Sequence, residues 1–294
     1  MTTSTAPSPI TARDVEVAGH RLHLNETGDP SAPAILWLHG SGPGVTALTN
    51  WQALITRLAP RFHNLAPDVL GFGESAHPDP APAGMAAYTA VRARVLLDLL
   101  DVLGLQRVHL VGNSMGGMIA LRMVLDAPER VDRLVLMGSG GAPLAPTPDL
   151  LRMIRFYEDP TGAAMRELLP RFVHDPALFA GRLEEIAATR LATASRPEVR
   201  RSHLATFDPA GEPVRYTPEE LARIEQQALV VHGREDRFIP VHAGYFLAEH
   251  IRNAQLHVLP NTGHWAQLEQ PERFRAQVEL FLGEPASAEG EPPA

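Results

Sequence analysis

Residues 112–116 read Gly-Asn-Ser-Met-Gly, and this stretch decides the fold. A Gly-x-Ser-x-Gly pattern lets a β-strand turn sharply into a helix, because glycine relieves the crowding of that strained turn. Before it, residues 107–111 (RVHLV) form a short apolar run that favours a strand, and after it, residues 118–125 (MIALRMVL) favour a helix. The stretch therefore predicts a strand–turn–helix unit that exposes the hydroxyl of Ser114 as a nucleophile.

A serine nucleophile needs a base, and the base needs a group that orients it. Asp236 follows an apolar strand by four residues, and His264 lies between a strand and the last helix, so both are expected at the same edge of a sheet as Ser114. Some related folds take the acid from the strand after the elbow helix, but residues 138–140 there read Gly-Ser-Gly. We predict a triad of Ser114, Asp236 and His264. Glu235 is the alternative acid, and a helix N-terminal acid is the plain structural interpretation of Asp236.

An oxyanion hole needs two backbone N–H groups that point at a carbonyl oxygen as it becomes negative. Met115, which follows the nucleophile, would supply one of them. The other is expected from Ser41 or Gly42, in the loop 39–44 (HGSGPG) that follows an apolar strand. The plain alternative for this loop is an ordinary Gly/Pro turn. His39 is expected to order the loop rather than to act as a base.

The composition excludes several kinds of chemistry. The chain has 294 residues, of which 45% are hydrophobic and 20% charged, as in a globular protein of one domain with an insertion or of two small domains. It contains no cysteine and no lysine, which excludes disulfides, thiolate metal sites and Schiff-base catalysis. The net charge of −8 argues against non-specific nucleic-acid binding. No metal-ligand spacing is evident, and His232, His242 and His257 are interpreted as residues on strand or helix surfaces.

Strand-like runs alternate with helix-like segments on both sides of one interruption. Alternation of this kind predicts an α/β fold with a mostly parallel sheet flanked by helices, formed by residues 15–141 and 218–282. Residues 142–217 are punctuated by proline and helix-like, which predicts a helical cap inserted over the carboxyl ends of the strands, where open α/β sheets bind ligands. Residues 1–14 and 283–294 are expected to be a flexible arm and a flexible tail.

The individual elements follow from the periodicity of the apolar residues. The predicted strands cover residues 15–17, 21–24, 34–38, 62–67, 107–111, 133–137, 228–232 and 254–259, and the predicted helices cover residues 88–103, 118–125, 241–250 and 271–282. The first ten residues have neither a basic start nor an apolar core, and no apolar run approaches the ~18–20 residues of a membrane span. We therefore expect no signal peptide and no membrane segment, and a cytoplasmic protein.

Taken together, these motifs resemble those of the α/β-hydrolases, from about residue 15 to residue 282. Within that fold the chain is similar to the meta-cleavage product hydrolases, which cleave a C–C bond of 2-hydroxy-6-oxohexa-2,4-dienoates. The order Ser…Asp…His, His39-Gly40 and the stretch 71–75 (GFGES) are common to many α/β-hydrolases. Four features are typical of the subfamily: the loop 38–44 with Asn50-Trp51 after it, Asn113 before the nucleophile, the stretch 264–267 (HWAQ), and Arg190 in the cap.

The resemblance implies roles for four residues. Arg190 would bind the dienoate carboxylate, for which a planar guanidinium is suited. Asn50, Asn113 and Trp265 would hold the polar end of the substrate. The plain alternatives are a surface position for Arg190, a helix N-cap for Asn50 and core packing for Trp265.

The same resemblance implies a reaction in two halves. The dienol is first ketonised, and Ser114 then adds to the C6 ketone, so that C5–C6 cleavage gives a 2-hydroxypenta-2,4-dienoate and a carboxylic acid. It also implies that no metal or organic cofactor is needed and that the protein is a homo-oligomer, a dimer or larger.

Two rival functions remain open at this level. A carboxylesterase or lactonase of the same fold needs the triad but not Arg190, Asn113 or Trp265, and a non-catalytic ligand-binding protein is a remote alternative. The C6 substituent, alkyl or aryl, and the kind of pathway, degradative or biosynthetic, are also open. The candidates for the lining of the acyl pocket are Leu151, Met153, Ile154, Phe156 and Phe172.

Overall fold

The computed structural model describes residues 9–284, which are built around one eight-stranded sheet. The strands are β1 (Thr11–Val17), β2 (His20–Thr27), β3 (Ala34–Leu38), β4 (His63–Pro67), β5 (Val108–Asn113), β6 (Val131–Met137), β7 (Gln227–Gly233) and β8 (Ala254–Leu259). They lie in the order β1-β2-β4-β3-β5-β6-β7-β8. The hairpin of β1 and β2 pairs antiparallel with β4, and all later neighbours are parallel. The carboxyl ends of the parallel strands consequently share one edge.

The central strands are apolar throughout because both faces of the sheet are covered. All five residues of β3 are buried. Successive side chains of a strand point to opposite faces, so Leu36 and Leu38 enter one core cluster while Ile35 and Trp37 enter the other. A parallel strand of this kind has no solvent face, which explains its uninterrupted apolar sequence.

Helices form the two covering layers and the cap. They are α1 (Ala47–Leu58), α2 (Met85–Val102), α3 (Met115–Asp126), α4 (Pro148–Ile154), α5 (Gly162–Leu168), α6 (Leu183–Ala194), α7 (Pro197–Thr206), α8 (Pro218–Leu221), α9 (His242–His250), α10 (Ala266–Glu269) and α11 (Pro271–Gly283). Helices α2, α3 and α9 pack on one face of the sheet, and α1 and α11 pack on the other. Within residues 9–284, no helix is both long and apolar enough to cross a bilayer.

The insertion between β6 and β7 contains helices and no strand, and its first four helices, α4 to α7, lie within residues 142–217. This cap has its own apolar cluster, which includes Met165, Leu168 and Phe172. Two residues of the core complete the cluster, namely Phe238 after β7 and Trp265 after β8. The cap therefore docks on the loops at the carboxyl edge of the sheet.

The predicted α/β architecture with a mostly parallel sheet and flanking helices is confirmed. Each predicted strand and helix has a counterpart, with ends that shift by a few residues. Strand β1 starts at Thr11, so it takes in four residues that we assigned to the flexible arm. Helix α11 ends at Gly283. Most of the remaining predicted arm and tail, residues 1–8 and 285–294, lies outside the described residues.

Outside the cap, three helices were not predicted: α8 and α10, of four residues each, and α1, of twelve residues. The apolar residues of α1 recur at helical spacing, so the signal was present in the sequence. The N-cap of α1 is Thr46, whose hydroxyl accepts a hydrogen bond from the N–H of Thr49 at 3.2 Å. The alternative of Asn50 as a helix N-cap is therefore wrong, because Asn50 lies inside the first turns of α1 and is buried.

His203 is buried inside the cap. It lies on α7, and its ring packs against the rings of Tyr157 and Phe207, each with a centroid distance of 4.8 Å. Its Nε2–H donates to the carbonyl oxygen of Ile154 at 2.9 Å. Burial lowers the pKa of His203 to about 4, so the folded protein holds this imidazole neutral.

The buried imidazole makes stability dependent on pH. Because the pKa of His203 is lower in the folded than in the unfolded chain, the unfolded chain binds more protons as the pH falls below about 6.5. We expect the free energy of unfolding to fall by about 2 kcal/mol from this group between pH 7 and pH 5. Urea titrations of the wild type and of His203→Gln should show a smaller acid loss for the variant. The exposed His242 provides the control His242→Gln, and equal acid slopes for all three proteins would contradict the prediction.

Candidate active site

Ser114 lies at the turn between β5 and α3, in a conformation that few L-residues adopt. Its φ is +56° and its ψ is −114°. A Cβ added to Gly112 would lie 2.5 Å from the carbonyl oxygen of Gly116, and one added to Gly116 would lie 2.1 Å from that of Leu38. The turn can close only because both positions are glycine, and it presents Ser114 at the carboxyl edge of the sheet.

The predicted acid and base are in direct contact. His264 Nδ1 donates to Asp236 Oδ2 at 2.7 Å. The other carboxylate oxygen accepts hydrogen bonds from the N–H groups of Phe238 and Ile239 at 2.8 and 2.9 Å. Both side chains are buried. The contact fixes the imidazole tautomer, so Nε2 is the nitrogen that could take a proton from Ser114.

His264 and Ser114 line the same small cavity, although no hydrogen bond joins them in the described chain. A proton transfer between them would need the hydroxyl to turn towards Nε2, and catalytic hydrogen bonds of this kind commonly tighten only when substrate is bound.

A second histidine supports the acid, and the sequence analysis missed it. His232, at the end of β7, is fully buried, so its interpretation as a surface residue is wrong. Its Nε2 lies 2.9 Å from the carbonyl oxygen of Ile239 and 3.4 Å from Asp236 Oδ2. Burial alone would raise the pKa of Asp236, but the charges and hydrogen bonds of His264 and His232 hold that pKa well below its usual range. The sequence signal that could have indicated this role of His232 is its position at a strand end, four residues before the acid.

The other possible sources of an acid do not reach His264. Glu235 accepts a hydrogen bond from the N–H of Thr262 at 3.0 Å and pairs with Arg234 at 2.8 Å, so it stabilises the loop that precedes the base. A Cβ added to Gly138 would lie 3.1 Å from His264 Nδ1 and 3.3 Å from Asp236 Oδ2. A side chain at this position would crowd both residues and would sit at a positive φ of +50°, so the position at which some related folds carry their acid is occupied by glycine.

The residues predicted for the oxyanion hole lie beside Ser114. Met115 is the first residue of α3, where backbone N–H groups have no intrahelical partner. Among residues 9–284, no group accepts a hydrogen bond from the N–H of Ser41 or Gly42. His39 orders their loop, since its Nε2 accepts a hydrogen bond from Val69 at 2.9 Å and its Nδ1 donates to Gly40 at 2.7 Å. Both ring nitrogens of His39 are thus engaged, and burial lowers its pKa.

The predicted substrate-binding residues meet in one small, polar cavity of about 10 Å³, which is lined by Ser114, His264, Asn50, Asn113, Arg190 and Trp265, among others. Asn113 Nδ2 donates to the carbonyl oxygen of Met137 at 3.1 Å, but its Oδ1 has no partner in the described chain, and neither has Asn50 Nδ2. A buried donor and a buried acceptor without partners are costly, and a polar ligand would satisfy both.

Arg190 points into this cavity from α6 and is buried, so the surface alternative is wrong. Its Nε donates to the carbonyl oxygen of Pro43 at 3.1 Å, and no carboxylate of the described residues pairs with it. Burial lowers the pKa of Arg190 to about 10, which leaves the guanidinium charged at neutral pH. Trp265 lies beneath it, 5.6 Å from ring centroid to guanidinium carbon, and stacks on Phe172 at 4.4 Å. Trp265 therefore both packs in the cap cluster and lines the polar cavity.

A much larger apolar cleft opens on the other side of Ser114. It has a volume of about 760 Å³ and lies between the cap and the core. Ser41, Ser114, Leu150 and Phe238 line both spaces. Of the acyl-pocket candidates, the cleft is lined by Leu151 and Ile154 and the polar cavity by Met153 and Phe172, whereas Phe156 lines neither.

Within residues 9–284, no group of three or more His, Asp or Glu side chains could hold a metal ion. The site thus consists of a candidate nucleophile, a candidate base oriented by a carboxylate, candidate oxyanion donors, a polar cavity with an unpaired cation and an apolar cleft. These parts can carry out acyl transfer on a substrate that is anionic at one end and apolar at the other.

Known proteins share both the sequence pattern and the architecture. The model of the α/β-hydrolase fold family matches residues 33–271. A 2-hydroxymuconate semialdehyde hydrolase of Pseudomonas sp. (strain CF600) is 39% identical over 288 residues, which cover 96% of this chain and 97% of that protein. A 2-hydroxy-6-oxononadienedioate/2-hydroxy-6-oxononatrienedioate hydrolase of Burkholderia vietnamiensis is 38% identical over 272 residues, 89% and 91% of the two chains.

A solved structure agrees with these relatives. The 2-hydroxy-6-oxo-6-phenylhexa-2,4-dienoate hydrolase from Rhodococcus sp. strain RHA1 superposes with a TM-score of 0.90 and 38% sequence identity. The match covers 94% of this chain and 100% of that one.

The geometry predicts different outcomes for the two adjacent acids. Asp236→Asn keeps the shape but removes the charge that stabilises the imidazolium and fixes its tautomer, so we expect kcat to fall about 10⁴-fold. Glu235→Gln is the matched control and should stay within about tenfold, because Glu235 contacts the loop and not the base. Steady-state ester hydrolysis measures both. A larger fall in kcat for Glu235→Gln than for Asp236→Asn would identify Glu235 as the acid.

Proposed function

The chain belongs to the α/β-hydrolase family and, within it, to the meta-cleavage product hydrolases, and from that premise we propose that it cleaves the C5–C6 bond of a 2-hydroxy-6-oxohexa-2,4-dienoate. The observation that supports this assignment is the position of Ser114 between a polar cavity with an unpaired arginine and an apolar cleft. The proposed products are a 2-hydroxypenta-2,4-dienoate and a carboxylic acid.

The chemical lining of the two spaces matches the two ends of such a substrate, but the polar cavity, at about 10 Å³, has room for about one water molecule and must widen to admit the carboxylate end. The C1 carboxylate would pair with the guanidinium of Arg190, and charge-assisted bonds of this kind are stronger in a buried site than in water. The 2-oxygen would lie near Asn50 Nδ2 and Asn113, whose buried polar atoms need partners. The C6 carbonyl would then reach Ser114, and the C6 substituent would extend into the cleft.

The first half of the reaction prepares a leaving group. The proton of the 2-hydroxyl is lost and one is gained at C5, which converts the dienol into its keto form. The resulting C2 ketone is conjugated with the C3–C4 double bond, so it can accept the electron pair that C5 receives when C5–C6 breaks. Arg190, Asn50 and Asn113 would favour the keto form by holding the charged and polar groups at C1 and C2.

The second half is acyl transfer at Ser114. His264 takes the hydroxyl proton as Ser114 adds to C6, and the N–H groups of Met115 and of Ser41 or Gly42 stabilise the oxyanion. When the oxyanion collapses, the C5–C6 bond breaks and C5 leaves as the stabilised dienolate, which takes up a proton. Water activated by His264 then releases the acyl group from Ser114 as the carboxylic acid.

The size of the cleft favours a bulky, apolar C6 substituent. Its volume of about 760 Å³ is in the range of ~300–1,000 Å³ of small-molecule sites. Gly140 and Met118 line the cleft beside Ser114, and the backbone nitrogen of each donates a hydrogen bond to the carbonyl oxygen of Ser114 at 3.3 Å. The cleft also has apolar walls, formed by Ile154, Phe207, Val214, Phe238, Ile239 and Ala243. An aryl group buries more area here than a methyl group does.

A carboxylesterase or lactonase of the same fold is the second candidate. It would use Ser114, Asp236 and His264 but would leave the buried charge of Arg190 without a role. In a non-catalytic ligand-binding protein, the hydrogen bond between His264 and Asp236 would have no function. From the family resemblance alone, we also propose a cytoplasmic homo-oligomer.

The function is tested by assaying three substrates side by side: 2-hydroxy-6-oxo-6-phenylhexa-2,4-dienoate, its 6-methyl analogue and p-nitrophenyl acetate. We expect loss of the dienolate absorbance with release of benzoate or acetate, and kcat/KM for the phenyl compound roughly tenfold or more above that for the methyl compound, because of the larger apolar area buried. Ester turnover without dienoate cleavage would support the esterase instead.

The role of Arg190 is tested by the ratio of two activities. Arg190→Gln leaves the substrate carboxylate without a cation in a buried site, so kcat/KM for the dienoate should fall on the order of 100-fold. Turnover of p-nitrophenyl acetate, which carries no carboxylate, should change little. Arg182→Gln, at an exposed cap position, is the matched control. Equal losses on both substrates would remove Arg190 from carboxylate binding.

A further inference from the structure

A second arginine is buried without an acidic partner, and the reaction as described above does not use it. Arg92 lies on α2 and is fully buried. Its Nε donates to the carbonyl oxygen of Leu70 at 3.0 Å, and one terminal nitrogen donates to Thr206 Oγ1 at 2.9 Å. The other terminal nitrogen lies 3.3 Å from Met115 Sδ. In the described part of the chain, no Asp or Glu forms an ion pair with Arg92.

A buried cation of this kind is costly, so its presence calls for a role. Charges are almost never fully buried unless they are paired. The ring of Tyr88 lies 3.8 Å from the guanidinium carbon, and the ring of Phe72 lies 5.0 Å from it, so two aromatic faces offset part of the desolvation. Burial lowers the pKa of Arg92 to about 9, which leaves it positively charged at neutral pH.

The charge of Arg92 lies next to both segments that supply the proposed oxyanion donors. On one side, Arg92 contacts the side chain of Met115, whose own N–H is a proposed donor. On the other side, Phe72 lies between Arg92 and His39, with a centroid distance of 5.1 Å between the two rings. His39 orders the loop that carries Ser41. One cation thus supports both elements from which the donors come.

Arg92 also links the proposed oxyanion hole to the cap. Thr206, the last residue of α7, accepts the hydrogen bond from Arg92 and lines the apolar cleft. The Thr206 hydroxyl donates in turn to the carbonyl oxygen of Ser202 at 2.7 Å, so it has a partner both as acceptor and as donor. The wall of the cleft and the catalytic turn are therefore joined through one side chain of α2.

We infer that Arg92 is a positioning residue for the Ser114 reaction: its buried charge and its contact with Met115 favour the oxyanion that forms on the acyl carbon, and its contact with Thr206 holds the cap over that site. The inference rests on the proposed role of Ser114 as nucleophile. It does not depend on the identity of the substrate, because an oxyanion forms in ester hydrolysis and in C–C cleavage alike. A preorganised charge acts on kcat, since the negative charge develops only as Ser114 adds.

The first experiment removes the charge and keeps hydrogen-bonding capacity. Arg92→Gln should lower kcat roughly 10- to 100-fold on both p-nitrophenyl acetate and the 6-phenyl dienoate, with KM changed less than about threefold. Arg94→Gln is the matched control, because Arg94 lies on the same helix with its side chain 76% exposed. If the wild type hydrolyses only the ester, the proposed dienoate activity fails while the ester still tests Arg92.

The second experiment uses a cation that can titrate. Arg92→Lys keeps the charge at low pH, but a buried lysine loses its proton more readily than an arginine does. At pH 6 to 7 the activity of this variant should be near that of the wild type. As the pH rises, both activities should decline, and the decline of the variant should begin at a lower pH. The other titratable groups that interact with Arg92 are Tyr88, His39 and His203, and burial lowers the pKa of both histidines.

Two results would overturn the inference. One is a kcat of Arg92→Gln within twofold of the wild type, or a loss confined to KM, since either would reduce Arg92 to a structural residue. The other is a pH profile of Arg92→Lys that coincides with that of the wild type, and this comparison decides the question if Arg92→Gln does not fold. Melting temperatures of all variants separate loss of fold from loss of rate.

Discussion

The structure depends on one steric constraint, the closeness of the turn at Ser114 to the strand beside it. Gly116 approaches the end of β3 so closely that a Cβ would lie 2.1 Å from a carbonyl oxygen. This contact sets the distance between the turn and the loop after β3, and therefore the spacing of the proposed oxyanion donors. It also holds Ser114 at a positive φ, a strained conformation of the kind that persists only where packing enforces it. The two apolar layers around the sheet provide that packing.

Burial of charge is the second organising feature of the site. Two arginines, Asp236 and several polar atoms are removed from water around Ser114. Of these three charged groups, only Asp236 has ion-pair partners among residues 9–284, namely His264 and His232. Desolvation strengthens every electrostatic interaction at this place, including those with a charge that forms transiently. The cap contributes to this desolvation, since its Phe172 stacks on Trp265 of the core and both rings line the polar cavity. Burial of these unpaired charges lowers the stability of the folded protein, but the same charges can bind an anionic substrate.

Local sequence patterns were sufficient for the parts of the fold and site that depend on neighbours along the chain. The elbow, the acid and the base each follow an apolar strand, so their common edge could be predicted without coordinates. The second partner of Asp236, His232, was missed although it is local: it lies four residues before the acid, and apolar periodicity does not show that the turn after β7 brings its Nε2 to 3.4 Å from Asp236 Oδ2. Arg92 had a weak signal: it follows Tyr88 by four residues on the buried stripe of α2, where an arginine is out of place. What surrounds it, Met115 and Thr206, comes from distant segments, and no periodicity indicates such contacts.

The two buried arginines illustrate how the same desolvation cost leads to different roles. Arg190 borders a cavity, so an external carboxylate can reach it and recover the cost on binding. Arg92 is enclosed by a carbonyl oxygen, a thioether, a hydroxyl and two aromatic rings, none of which carries a formal charge, and no ligand can reach it. Its field is then compensated only when negative charge appears nearby during turnover. A charge that is uncompensated in the ground state and compensated in the transition state lowers the barrier, which is a physical reason to keep an arginine where packing alone would select leucine.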